Sequence, residues 1–146
     1  MAKKPQAKRS SRDKYALNLW SNFIRDRAGR RCERCGTGEE QLLSMGWSLQ
    51  GAHIEGRRKR SVRYHPDNGI ALCAGPGKYG GCHGWFDNHC SAKERLDFVY
   101  EKRGASLDVV FDLVKERWDR DIDRAIVDIK AASRSLSVGS SSGVAA

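Results

Sequence analysis

Two pairs of cysteines restrict the fold of this chain more than any other feature. Cys32 and Cys35 enclose two residues, and Cys73 and Cys82 enclose eight. Four thiolates at the corners of a tetrahedron make a closed structural zinc site, which obliges two distant segments to meet. The first pair has the spacing of a tight turn that offers both sulfurs to one ion, and Gly36 behind it allows the bend. The second pair is stretched, but Ala74-Gly-Pro-Gly-Lys-Tyr-Gly-Gly81 carries four glycines and can fold back. We therefore expect Zn2+ on Cys32, Cys35, Cys73 and Cys82. His53 and Asn68 lie between the pairs, and His83 follows Cys82 directly. A scaffold closed on zinc would gather these three.

Composition explains why a staple is useful. At 146 residues the chain is one domain long. Its hydrophobic content of 39% and mean hydropathy of −0.66 imply a thin core. No apolar run approaches the roughly 20 residues that span a bilayer. The basic N-terminus lacks the apolar stretch of a signal peptide, so we expect an intracellular, cytoplasmic protein with reduced thiols. That compartment argues for metal rather than disulfides, with Cys90 left over as an idle thiol or a substitute ligand. A net charge of +9 and a pI near 9.6 favour a polyanion partner, foremost nucleic acid, and no amphipathic membrane anchor accompanies the charge.

We divide the chain into a disordered basic arm (1–14), a metal-braced core with an N-terminal helix (15–90), a helical extension (91–132) and a flexible tail (133–146). The arm has Lys3, Lys4, Lys8, Arg9, Arg12 and Lys14 and almost nothing apolar. It is either a solubilising tail or an arm lying along phosphates. Leu17, Trp20, Phe23 and Ile24 recur at helical spacing, with Trp20 read as core, and Gly29 ends that helix. Trp47, Leu49, Gly51 and His53 fall on one side of an expected strand, and Ile70-Ala-Leu72 form a second. A helix is expected to open near Cys82 and His83. After Ser91 we expect a helix to about Tyr100, a break at Gly104, then one helix over about 107–132. Its apolar stripe (Val110, Leu113, Val114, Trp118, Ile122, Ala125, Ile126, Ile129) docks on its own domain or forms a dimer seam. The opposite face alternates Asp119, Arg120, Asp121, Asp123 and Arg124.

In order and spacing, CERCG, AHIEGRR, PDNGIALC and GCHGW resemble the HNH (His-Asn-His) endonuclease family over roughly residues 31–86. The glycine-rich insertion before GCHGW resembles small phage-encoded members. The resemblance implies an α+β fold, with a small ββα-metal core of treble-clef form braced by zinc and flanked by helices. By the same resemblance His53 is the general base, Asn68 orients it or supports the hairpin, and His83 binds a catalytic divalent cation such as Mg2+, Mn2+ or Ni2+. The implied activity is hydrolysis of DNA phosphodiesters, with DNA and other phage DNA-processing proteins as partners. An imidazole titrates near neutrality and suits the base role, while a cation stabilises charge on the phosphorus and the leaving oxygen. If His83 opens a helix, Asp87 stands on the same face at i+4 and can share that cation. Many members carry Asp or His just before the base, where this chain has Ala52. Asp87, Asp67, His65 and His89 are the candidates to complete the site, although we read His65 and His89 as structural.

Arg57, Arg58, Lys59, Arg60 and Arg63 follow His53 closely and are expected to hold the DNA backbone without reading sequence. Two other readings compete. His53-Ile-Glu55 matches half of the zinc-deaminase signature, but the required Pro-Cys-x-x-Cys is absent and Cys32 and Cys35 are left without work. A non-catalytic zinc-binding DNA- or RNA-binding module is the second, and Ala52 favours it.

Overall fold

A computed structural model describes residues 10–77, 80–115 and 122–142, with backbone alone for 138–142. The elements run α1 (Ser11–Arg27), α2 (Glu39–Ser44), β1 (Ser48–His53), β2 (Gly69–Ala74), α3 (Gly81–Gly84), a π-helical turn (Trp85–His89), α4 (Ala92–Arg103), α5 (Ser106–Val114) and α6 (Ile122–Ser142). This is a small α+β arrangement around one two-stranded antiparallel sheet.

The N-terminal helix starts earlier than its apolar pattern suggests. Ser10 caps it by accepting from the Asp13 amide at 3.1 Å, so residues 11–14 are helical where the sequence reads as a disordered arm. Residues 1–9 of that arm lie outside the described residues. Ala16, Trp20, Phe23 and Ile24 are the buried stripe, so Trp20 is core as expected.

After α1 the chain turns through Gly29 and Arg30, both with positive φ, into the first cysteine pair. Gly36 has φ +78°, the left-handed value that lets the Cys32 amide reach the Thr37 carbonyl at 3.0 Å. This turn leans on β2, since the Glu33 amide donates to the Ala71 carbonyl at 2.8 Å and the Ala71 amide to Glu33 Oε2 at 2.7 Å.

The hairpin is covered on both faces. His53 pairs with Gly69 and Ser48 with Ala74. Strand alternation turns Gly51 and His53 toward α1 and Gln50 toward α3, where it meets His83. Because helices lie on either side, β2 is buried from Gly69 to Cys73 and reads as a continuous apolar run. Gly69 is needed for this closeness: a Cβ there would come within 2.5 Å of Ile24 and 2.6 Å of Trp20.

The C-terminal part differs from the expected single helix over 107–132. α5 ends at Val114 with Lys115 as its C-cap, and α6 is described from Ile122; residues 116–121, among them Trp118, Asp119, Arg120 and Asp121, lie outside the described residues. Ala125, Ile126 and Ile129 are buried in the common core, so this face packs on its own domain. The helix also continues to Ser142 through the segment expected to be a flexible tail, with Leu136 packed against the core. The break before α5 is at Gly104, whose φ is +57°. Among the described residues, no helix is long and apolar enough to cross a membrane.

Candidate functional site

The four cysteines converge. The sulfurs of Cys32, Cys35, Cys73 and Cys82 all lie within 4.8 Å of one another. Cys35 and Cys73 are 3.8 Å apart. That is the edge of a tetrahedron with bonds of about 2.3 Å, so these residues could hold a structural metal such as zinc. The stretched second pair closes because Gly81 adopts φ +73°, with its α-carbon so near Cys73 that a Cβ would sit 2.5 Å from the Cys73 carbonyl oxygen. The Cys82 amide then donates to the Cys73 sulfur at 3.4 Å. Arg34 reaches the Cys82 sulfur at 3.6 Å while lying over the Trp85 ring. Burial raises the Cys73 thiol and pushes the Cys82 thiol up to about 12. A cation would therefore have to displace protons here. Cys90 is not in the cluster; its thiol donates to the Phe86 carbonyl at 3.4 Å.

Beside this cluster a cleft of about 540 Å³ is lined by Trp20, Gln50, His53, Arg57, His83, Asp87 and Arg95 among others. It brings together His53 from the end of β1 and His83 from the short helix after Cys82. The His53 ring stacks on Trp20 at 4.0 Å between centroids and 14° between planes. Its Nε2 lies 2.9 Å from the Arg63 carbonyl, which can only accept, so Nε2 carries the proton and Nδ1 has the free lone pair. Burial holds the imidazole down to about 4, and the charges of Arg57, Arg63 and His83 press the same way against the pull of the Arg63 carbonyl. At neutral pH the ring is an uncharged acceptor.

His83 and Asp87 form a second group. His83 Nδ1 is 2.8 Å from Gln50 Oε1, and Nε2 is 3.1 Å from Asp87 Oδ2. The contact with His83 keeps the Asp87 carboxyl below its usual range, with Arg95 among the charges that assist. At this distance the two side chains are hydrogen-bonded to each other, and the same two atoms are near enough that they could share one hard cation. Among the described residues, no third His, Cys, Asp or Glu completes a cluster with them. Ala52, buried in the core, contributes no donor. His65 accepts from the Asp67 amide at 3.1 Å, and Asp67 pairs with Arg27 at 3.7 Å.

Asn68 does a different job from the orientation of His53. It is fully buried, donates to the carbonyls of Glu55 and Val62 at 3.0 Å each, and accepts from the Glu55 amide at 2.7 Å. It pins the inner turn of the loop between the strands, the hairpin-supporting alternative read from the sequence. The basic loop also divides. Arg57 lines the cleft, whereas Arg58, Lys59 and Arg60 are exposed outside its wall. Arg63 belongs to the scaffold: it pairs with Asp13 at 3.7 Å and lies over Tyr64. Its side chain is not among those facing the cleft.

Three cleft residues escape sequence reasoning. Trp20 is legible as core, but nothing in its spacing says that its partner is a histidine. Gln50 is on the strand face opposite His53, which alternation alone could have flagged. Arg95, far along the chain on α4, donates to the carbonyls of Ile54 and His53 at 2.9 and 3.4 Å and covers the Phe86 ring at 4.0 Å. It thus ties the strand end bearing His53 to the helical turn bearing Asp87. No protein-family model, curated protein or solved structure matches this chain. The functional reading therefore rests on this geometry and on the ordered motif.

Proposed function

We propose that this chain is a metal-dependent DNA endonuclease of the HNH kind, with a ββα-metal, treble-clef core braced by zinc. Its setting, by the same resemblance, is phage DNA processing, packaging or recombination. One observation carries the reading: a single cleft holds an uncharged imidazole with a free Nδ1, a His–Asp pair spaced for a divalent cation, and an arginine. Nδ1 of His53 takes a proton from the attacking water as its oxygen bonds to phosphorus. One P–O ester bond breaks, and the leaving oxygen collects a proton. The ring is kept in place by Trp20 and by the Arg63 carbonyl, so little reorientation is needed at that moment. His83 Nε2 and Asp87 would hold the cation, which when bound supplies positive charge to the phosphoryl and leaving oxygens. Arg57 in the cleft, with Arg58, Lys59 and Arg60 beyond it, attracts the backbone on either side.

The alternative is a zinc-binding DNA- or RNA-binding module without catalysis, favoured by Ala52 and by a cation pair with no third carboxylate or imidazole among the described residues. Nicking of supercoiled plasmid with Mg2+, Mn2+ or Ni2+ separates them. Cleavage by the wild type that is lost in His53→Ala and His83→Ala supports the nuclease. Equal, metal-independent behaviour of all three leaves the binding module. Loss in His83→Ala with full retention in Asp87→Ala would remove Asp87 from the site.

A further inference from the structure

Helix α1 has three sides. Ala16, Trp20, Phe23 and Ile24 face the core, while Arg12 and Tyr15 meet Asp123 and Lys130 of α6. The third side is polar. Lys14, Asn18, Ser21 and Arg25 fall within about 60° of one another at roughly 3.6 residues per turn, so they form one straight stripe. Asn18, Ser21 and Arg25 line the main cleft with His53 and Arg57, and the exposed Lys14 continues the stripe one turn toward the N-terminus.

The stripe carries no acid, because the acidic residues of α1 are held elsewhere. Asp13 accepts from the Tyr64 hydroxyl at 3.0 Å and pairs with Arg63 at 3.7 Å, and Asp26 pairs with Arg30 at 2.6 Å. Asp13 thereby fastens the start of α1 to the segment that carries Arg58, Lys59 and Arg60. At the other end Arg25 is fixed in advance. It donates to Asn22 Oδ1 at 2.6 Å and to the Ser21 carbonyl at 3.3 Å, and lies 3.5 Å from Glu39. The middle of the stripe is low, since Ser21 is small and Gly51 of β1 lies so near that a Cβ there would be 3.4 Å from the Ser21 α-carbon. At about 1.5 Å per residue, Lys14 and Arg25 stand about 16 Å apart along the axis. That is far longer than one phosphate and comparable with about five base-pair steps of about 3.4 Å. Two cations at this separation, with small hydrogen-bonding side chains between them, match an extended polyanion and not a compact anion.

We propose that this side of α1 is the second bank of the cleft and holds the sugar-phosphate backbone of DNA opposite the 57–60 loop. This rests on the DNA reading above and applies equally to a cutting and a purely binding protein. The resemblance begins at about residue 31, so α1 lies outside the motif that suggested the activity.

The test is anisotropy of a short fluorescein-labelled DNA duplex with the zinc-loaded full chain, over a range of salt and without added divalent ion, so that nothing is cut. Lys14→Gln/Arg25→Gln should bind about 10-fold more weakly than wild type, and its log–log salt slope should be shallower by about 2. Lys115→Gln/Arg124→Gln removes the same net charge at exposed positions outside the cleft lining, and should change affinity by less than about 3-fold. Asn18→Glu leaves the Arg25 contacts alone and sets a like charge against the phosphates, so it too should weaken binding beyond that control. If both α1 variants bind like the control, the proposal is overturned. If they do so while neutralising Arg57, Arg58, Lys59 and Arg60 weakens binding, only the role of α1 falls. A wild type that shows no salt-dependent binding to the duplex overturns the DNA reading together with it.

Discussion

Acidification should cost the wild type more stability than a variant that lacks the His53 imidazole. In the folded chain His53 is stacked on Trp20, hydrogen-bonded at Nε2 and held down to about 4 from an ordinary 6.5, chiefly by burial. In the unfolded chain the ring regains its ordinary value. Above pH 6.5 both states are neutral and the ring's contribution is whole. Between 6.5 and 4 the unfolded state binds the extra proton, so stability falls as pH falls through that window. From pH 7.5 to 5 the linkage amounts to roughly 2 kcal/mol, trimmed toward about 1.5 because the cleft edge of the ring touches water. The measurement is urea unfolding by tryptophan fluorescence, comparing wild type with His53→Gln at each pH. Zinc loss and carboxylate protonation act on both proteins and cancel in the difference. Parallel stability curves would refute the claim that the fold holds this ring neutral. A wild type that gains stability on acidification relative to the variant would mean an imidazolium in an ion pair instead.

Gly69→Ala should destabilise by about 1–3 kcal/mol in the same urea assay, because the new methyl meets Ile24 and Trp20 at 2.5 and 2.6 Å. A change below a few tenths would show that α1 can shift freely. Glu33→Ala should cost about 3–5 kcal/mol, since it leaves the Arg103 guanidinium, now 2.5 Å from Glu33 Oε2 and only 7% exposed, without its counter-charge. Removing both in Glu33→Met/Arg103→Met should recover most of that loss; an unchanged deficit would locate the cost elsewhere. Neutralising Arg57, Arg58, Lys59 and Arg60 together should weaken DNA binding for every sequence and flatten its salt dependence. Unchanged affinity at low salt speaks against a backbone role. Zinc affinity, read by competition with a chromophoric chelator, should weaken as pH is lowered, because burial raises the Cys73 and Cys82 thiols and each must lose its proton to bind. A pH-independent constant would contradict that order of events.

The arrangement was unevenly legible. The α1 stripe, the strand that ends at His53 and the sulfur cluster follow from local periodicity and spacing, which depend on near neighbours. Helix limits were read less well. Ser10 as a cap and Leu136 as a core contact reach past the apolar pattern that defines each helix in the sequence. The basic run read as one surface, yet Arg63 is drawn into the scaffold by Asp13, fifty residues earlier in the chain. For Asn68 the motif leaves two roles, orienting His53 or supporting the hairpin. Only its three bonds to Glu55 and Val62 decide for the loop.

By itself the sequence determined that two cysteine pairs, set among basic residues and histidines, could close on a structural metal. Ligand spacing and glycine placement are properties of the chain alone. The tertiary structure decided the partners of His53 and His83 and kept the His53 ring uncharged. Those depend on a Trp20 ring, a Gln50 carbonyl and an Arg63 carbonyl brought from other segments, and on the water that packing excludes. A side chain's charge in a cleft is set by its neighbours in space, and no spacing rule along the chain supplies those.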